Sequence, residues 1–205
     1  MFEKALEFSQ KSLLIHRNIF GEDHPETATS YNNVGNALYE LGLQHQDSEK
    51  INKAYGYFEK SLEIRTGVFG EAHQETALAS RNLGVVCKNL GMLEKARDLI
   101  AKALSIYEQI HDIDYPALAE DYDTLGNIEC QRGYIDLGIE SYQRGLEIRK
   151  MMWGTDHLSV AISYLNIGIA FYRKGELEKA LEAFKESLRI KESALEAERS
   201  DLLLL

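Results

Sequence analysis

The residues of this chain with the widest chemical reach are three histidines, two cysteines and a column of carboxamides. His24, His73 and His157 occupy equivalent turns of a repeated pattern, each three residues after a glycine. Imidazole is a common metal ligand, but ligands must converge on one ion. These histidines lie a repeat or more apart, displaced along any helical stack by roughly the 10 Å of helix packing. They are expected to cap helices or shape turns, and no metal site is expected. Gly154-Thr155-Asp156-His157 contains reactive residue types and is read as one of the same turns. Cys87 and Cys130 sit one repeat apart without paired spacing, as reduced, packed thiols do. No glycine-rich phosphate loop follows a strand, and no nucleophile, base and orienting acid stand at meaningful spacings. The expectation is a protein that is not an enzyme and needs no cofactor. The carboxamides differ. Asn33, Asn82 and Asn166 recur at one position, interrupted by Thr124. A carboxamide offers both donor and acceptor and can satisfy a peptide unit whatever its side chains. Asparagine is a mediocre helix former, so its return to one position needs a cause. It either grips a bound main chain or bonds to the helix of a neighbouring repeat.

The ruler behind these columns is a pair of glycines seven residues apart, at Gly35/Gly42, Gly84/Gly91, Gly126/Gly133 and Gly168/Gly175. The first glycines are spaced 49, 42 and 42 residues, a period of 42 with one seven-residue insertion. Ala28, Ala77, Ala119 and Ala161 keep the same register upstream, and Ile64, Ile106, Ile148 and Ile190 keep it downstream. A fixed period of this size means stacked supersecondary units with a continuous core, and arrays of that kind usually bind partners.

Each period parses into two helices. The first runs from about Glu26, Glu75, Pro116 or Leu158 to the second glycine of its pair, where a left-handed residue stops a helix. Prolines at Pro25 and Pro116 mark two of the starts. The second spans about Leu93–Ile110, Ile135–Met152 and Leu177–Ala194, with apolar residues at helical spacing, and Gly21, Gly70 and Gly154 close three such helices. Small residues at Ala54, Ala96, Gly138 and Ala180, and again at Ser61, Ala103, Gly145 and Ser187, let helices nest closely. The first glycine of each pair lies mid-helix at a cost of roughly 1 kcal/mol against alanine, so a close approach by the partner helix is expected there. The seven-residue insertion falls in the polar stretch 43–50, where Asp47 or Ser48 suits an N-cap. The expected organisation is a single array over 1–205: an orphan second helix at 2–20, repeats at 26–69, 75–110, 116–152 and 158–194, and an extension or tail at 195–205. The orphan helix and the terminal leucines read as edges of a longer array or as self-association surfaces.

Composition agrees with a binding array. The chain has 205 residues, 44% of them hydrophobic and 27% charged, with two prolines, which is enough for a core and for solvated helices. A net charge of −10 argues against nonspecific binding to nucleic acid or anionic membrane. No apolar run is long enough to span a membrane, and the first residues lack a signal-peptide core, so a cytoplasmic location is expected.

Gly21-Glu22-Asp23-His24-Pro25-Glu26-Thr27-Ala28, Tyr31-Asn32-Asn33-Val34-Gly35 and Ala54 through Ile64 resemble tetratricopeptide repeats, in the 42-residue form found in kinesin light chains. The resemblance covers nearly the whole chain. It implies an all-α fold, a right-handed α-solenoid of antiparallel helix pairs whose first helices line a concave groove. On that arrangement the groove residues are Asn32, Asn33, Asn36 and Tyr39, then Arg81, Asn82 and Lys88, then Asn127, and last Asn166, Tyr172 and Arg173. Charge there is mixed, with Glu40, Glu120 and Asp123 against Arg81, Lys88 and Arg173. Ile162, Leu165, Ile169 and Tyr172 form an apolar stripe that either anchors a ligand or packs on a following helix. The resemblance implies a protein-interaction scaffold that holds an extended peptide. The alternatives are a self-associating structural module and a targeting segment of a larger signalling protein or enzyme.

Overall fold

The computed structural model describes residues 2–110 and 115–202, with side chains as far as residue 196. The described residues form helices alone: α1 (Phe2–Phe20), α2 (Pro25–His45), α3 (Ser48–Phe69), α4 (Gln74–Asn89), α5 (Leu93–Tyr107), α6 (Tyr115–Arg132), α7 (Ile135–Trp153), α8 (Leu158–Lys174) and α9 (Leu177–Leu202). They divide into two compact units, residues 1–111 with α1–α5 and residues 112–205 with α6–α9.

Within each unit, sequential helices pack as hairpins. In the first unit Ala28, Val34, Ala54, Phe58, Ala77, Leu83 and Ile100 make the interior. In the second, Ile139, Tyr142, Leu146, Val160, Ala161, Ile167 and Ile190 do so. The small-residue columns are buried, and two of their serines bind across the hairpin. Ser61 Oγ donates to the Ala28 carbonyl at 2.9 Å, and Ser187 Oγ to the Ala161 carbonyl at 2.7 Å.

The mid-helix glycines explain themselves at close range. A Cβ on Gly35 would stand 3.1 Å from the Phe58 ring, on Gly84 2.9 Å from Ile100, on Gly126 2.7 Å from Tyr142 and on Gly168 2.5 Å from Phe184. In each case a bulky residue of the second helix lies on the bare backbone of the first, so the expected close approach is made chiefly by a side chain.

Two expected boundaries are corrected. Gly91, Gly133 and Gly175 have φ of 75°, 90° and 86° and follow their helices as expected. Gly42, in contrast, lies inside α2, which uses part of the insertion to continue to His45. The left-handed residue there is Gln46, φ 52°, and Asp47 accepts from the amides of Glu49 and Lys50 to start α3. Gly42 serves packing instead, since a Cβ would meet Ile51 at 2.6 Å. Helix α5 stops at Tyr107, short of Ile110, and Gln109 and Ile110 take tight i→i−3 bonds to Ile106 and Tyr107. No glycine and histidine close that helix, unlike α1, α3 and α7.

Candidate functional site

The turn histidines are helix caps. Nδ1 of His24, His73 and His157 accepts from the amide two residues on, each at 3.2 Å. The preceding aromatic stacks on each ring: Phe20 at 4.7 Å, Phe69 at 4.6 Å and Trp153 at 5.0 Å between centroids. Thr27 and Thr76 then bond to the carbonyls of Gly21 and Gly70, both at 2.7 Å. Among the described residues no group of three or more His, Cys, Asp or Glu side chains is placed to hold a metal ion. Cys87 and Cys130 are buried thiols, and burial pushes the Cys87 thiol up to about 11, away from a reactive thiolate.

In the first unit the carboxamides of α2 and α4 meet. Asn82 Nδ2 donates to Asn32 Oδ1 at 2.7 Å, and two turns further on Asn89 Nδ2 donates to the Tyr39 hydroxyl at 2.6 Å. These are rungs between adjacent first-type helices, so Asn82 makes the bond to a neighbouring repeat that was one of its two alternatives. Asn33 and Asn36 are exposed, whereas Arg81, Asn82 and Lys88 are half-buried. Burial lowers the pKa of the Lys88 ammonium and raises that of the Tyr39 phenol.

In the second unit Asn127, Asn166 and Arg173 come together. They line one cleft between α6 and α8 with Cys130, Tyr142, Ile169 and Ala170. Arg173 donates to the Cys130 carbonyl at 3.1 Å, and the Tyr142 hydroxyl donates to Asn127 Oδ1 at 3.0 Å. Asn127 also donates to the Asp123 carbonyl of its own helix at 2.9 Å, and the Thr124 hydroxyl bonds back to the Glu120 carbonyl at 3.0 Å. Beside the cleft, Ile162, Ile169 and Tyr172 are 51%, 46% and 63% exposed, and Leu165 is half-buried, so much of the apolar stripe of α8 faces solvent.

One expected groove charge is corrected, and two structural residues were missed. Asp123 is not an open acidic group, because Arg149 pairs with it at 2.7 Å with both side chains mostly buried. Burial raises the Asp123 pKa against the pull of that guanidinium. Arg149 also donates to Ser163 at 2.6 Å and so ties α6 to α8. Arg65 holds the corresponding place in the first unit, reaching Thr29 of α2 at 3.3 Å and Glu75 of α4 at 3.1 Å. The repeated Ile-Arg pairs Ile64-Arg65 and Ile148-Arg149 were the available signal.

Helical hairpins on a fixed period, carrying polar rungs and a cleft, define a helical-repeat interaction scaffold. The tetratricopeptide-repeat profile matches residues 1–46, 36–109, 82–151 and 117–193. The chain belongs to the tetratricopeptide-repeat family. Among solved structures, the nearly identical TPR-like repeats of a candidate kinesin light chain from Podosopora anserina match with TM-score 0.79 at 16% identity, over 94% of this chain and 88% of that one. BtubC (BKLC) from P. vanneervenii matches with TM-score 0.79 at 20% identity, over 94% and 74%. MamA matches with TM-score 0.67 at 20% identity, over 95% and 91%. At these identities the likeness concerns the fold. No curated protein matches the sequence. No helix of the described residues is long and apolar enough to cross a membrane.

Proposed function

We propose that this scaffold holds an extended peptide segment of a partner protein against its first-type helices. The observation that carries the reading is the cleft in which Asn127, Asn166 and Arg173 meet beside the exposed Ile169. Asn166 can bind a main-chain amide or carbonyl, Arg173 a carboxylate, and Ile162, Ile169 and Tyr172 an apolar side chain. In the first unit, exposed Asn33 and Asn36 and the Asn82–Asn32 rung offer the same functional groups. With Asp123 neutralised by Arg149, the second unit is less hostile to an acidic ligand than its sequence implied. The two buried thiols fit a reducing compartment such as the cytoplasm.

Peptide display against this chain supplies candidate ligands, whose affinities are expected near the micromolar range, about −8 kcal/mol. Titrating the selected peptides into wild type, Asn82→Ala and Asn166→Ala tests the reading. Loss of about tenfold in at least one variant is expected, roughly the effect of one polar contact. Unchanged affinity for every selected peptide in both variants refutes it.

A further inference from the structure

Helix α9 carries an apolar face that the described residues leave uncovered. Leu177, Leu181, Leu188 and Leu195 are each between 53% and 56% exposed. Around a regular helix they fall within about 40° of one another, in a single row.

The repeat itself shows that this face is one to be buried. Leu181 and Leu188 stand where α7 has Ile139 and Leu146. Those two belong to the buried cluster with Val160 and Ile167 of α8, the helix that follows α7. Helix α9 therefore leaves in solvent the face that α7 packs beneath its successor. The row is also longer than a hairpin requires. At the position of Leu195, α7 has Trp153, its last residue, whereas α9 runs on to 26 residues against the 19 of α7. A row of half-exposed leucines of this length marks an interaction surface.

The charges beside the row select its occupant. Glu178, Lys185 and Glu192 are exposed and follow one flank at seven-residue spacing, and the sequence continues the alternation with Arg199. Neither Lys185 nor Glu192 is engaged in an ion pair among the described residues. Read backwards, Glu-Lys-Glu-Arg becomes Arg-Glu-Lys-Glu, opposite in sign at every step. Two copies of α9 crossing antiparallel about Leu188 thus set Leu181 against Leu195 of the second copy and Lys185 against Glu192 of the second copy, each twice by symmetry. The same register sets position 178 opposite 199, glutamate against arginine. A parallel pair would place the two charged flanks on opposite sides of the seam and match none of these charges.

We propose that a second copy of this chain covers the leucine row, through a two-fold antiparallel contact of α9 with α9. Because the surface is its own partner, the assembly closes at two copies instead of growing into a filament. The contact is separate from the cleft of Asn127, Asn166 and Arg173 and stands or falls without peptide binding there.

Sedimentation equilibrium of the purified chain, from low to hundreds of micromolar, tests the contact. A reversible equilibrium between monomer and dimer is expected. Leu188→Glu, at an exposed position, keeps the wild-type circular dichroism and raises the dimer dissociation constant at least about tenfold, since the substitution enters the interface twice. Lys185→Glu and Glu192→Lys each weaken the dimer about threefold or more, and the two together restore it to within about twofold of wild type. Ile15→Lys, on the exposed apolar face of α1, and Asn166→Ala leave the equilibrium unchanged. A chain still monomeric at hundreds of micromolar, assembly beyond two copies, or a dimer indifferent to Leu188→Glu overturns the assignment. So do single charge reversals without effect, a double reversal that fails to recover the loss, or a dimer lost in Ile15→Lys or Asn166→Ala.

Discussion

At the residue scale, the glycines divide by what surrounds them. Gly168 is buried under Phe184, whose ring would be 2.5 Å from a new Cβ, while Gly67 is exposed on α3 with nothing within 4 Å. Overpacking a tight contact costs about 1–3 kcal/mol, more than the ~1 kcal/mol that alanine returns in helix propensity. Gly168→Ala is therefore expected to lower stability, and Gly67→Ala to raise it by about 0.5–1 kcal/mol. Urea denaturation of the two variants checks the opposite signs, and a shared sign defeats the explanation. Column recurrence made Gly35, Gly84, Gly126 and Gly168 legible as packing residues. What rests on them was not legible, because the facing position varies in type, with Phe58 and Phe184 in two repeats but Ile100 and Tyr142 in the others. The same limit hid Asp123, whose charge reads as open until Arg149 is seen beside it.

At the element scale, the hairpins were readable because period, small-residue stripe and turn glycine agree. The exceptions have physical causes. Gly42 looked like its three counterparts, but the insertion after it supplied helix-forming residues as far as His45, and Asp47 supplied the next cap. Helix α5 ended early where the aromatic–glycine–histidine turn is absent. Carboxamide rungs such as Asn82–Asn32 join residues fifty positions apart, and which of two competing partners an asparagine takes is decided by distance. The turn itself yields a prediction. His73 combines an acceptor for the Glu75 amide with a ring stacked on Phe69. Removing an N-cap acceptor costs about 1 kcal/mol. His73→Ala should lose about that much in chemical denaturation, and His73→Asn, which keeps an acceptor but not the stack, should recover part of it. Equal loss in both variants would assign the whole effect to stacking.

At the scale of the whole molecule, charge governs the response to acid. At pH 7 the formal net charge is −10, and the isoelectric point is about 5.1, so acidification first relieves repulsion among carboxylates. Below that point the sign reverses, as 23 lysines and arginines and six histidines go uncompensated. Specific contacts add to the same trend. A hydrogen bond from Tyr31 holds Glu22 below the ordinary carboxylate value, and Tyr55 does the same for Glu59. Lys50 lowers Asp47, Arg189 lowers Asp156, and Lys174 lowers Glu176. A carboxylate depressed in the fold contributes stability above its unfolded value, 4.5 for Glu and 3.8 for Asp, and loses it as pH falls through the lower folded value. Asp123 acts in the opposite direction, because burial raises it, but it is one group against five. The thermal midpoint by circular dichroism, at fixed ionic strength, should hold or rise slightly from pH 7 to 5 and then fall from about pH 4.5 downward. A midpoint that already drops between pH 7 and 5 would place the acid-sensitive groups elsewhere, and one that stays level to pH 3 would mean these carboxylate contacts do not stabilise the folded chain.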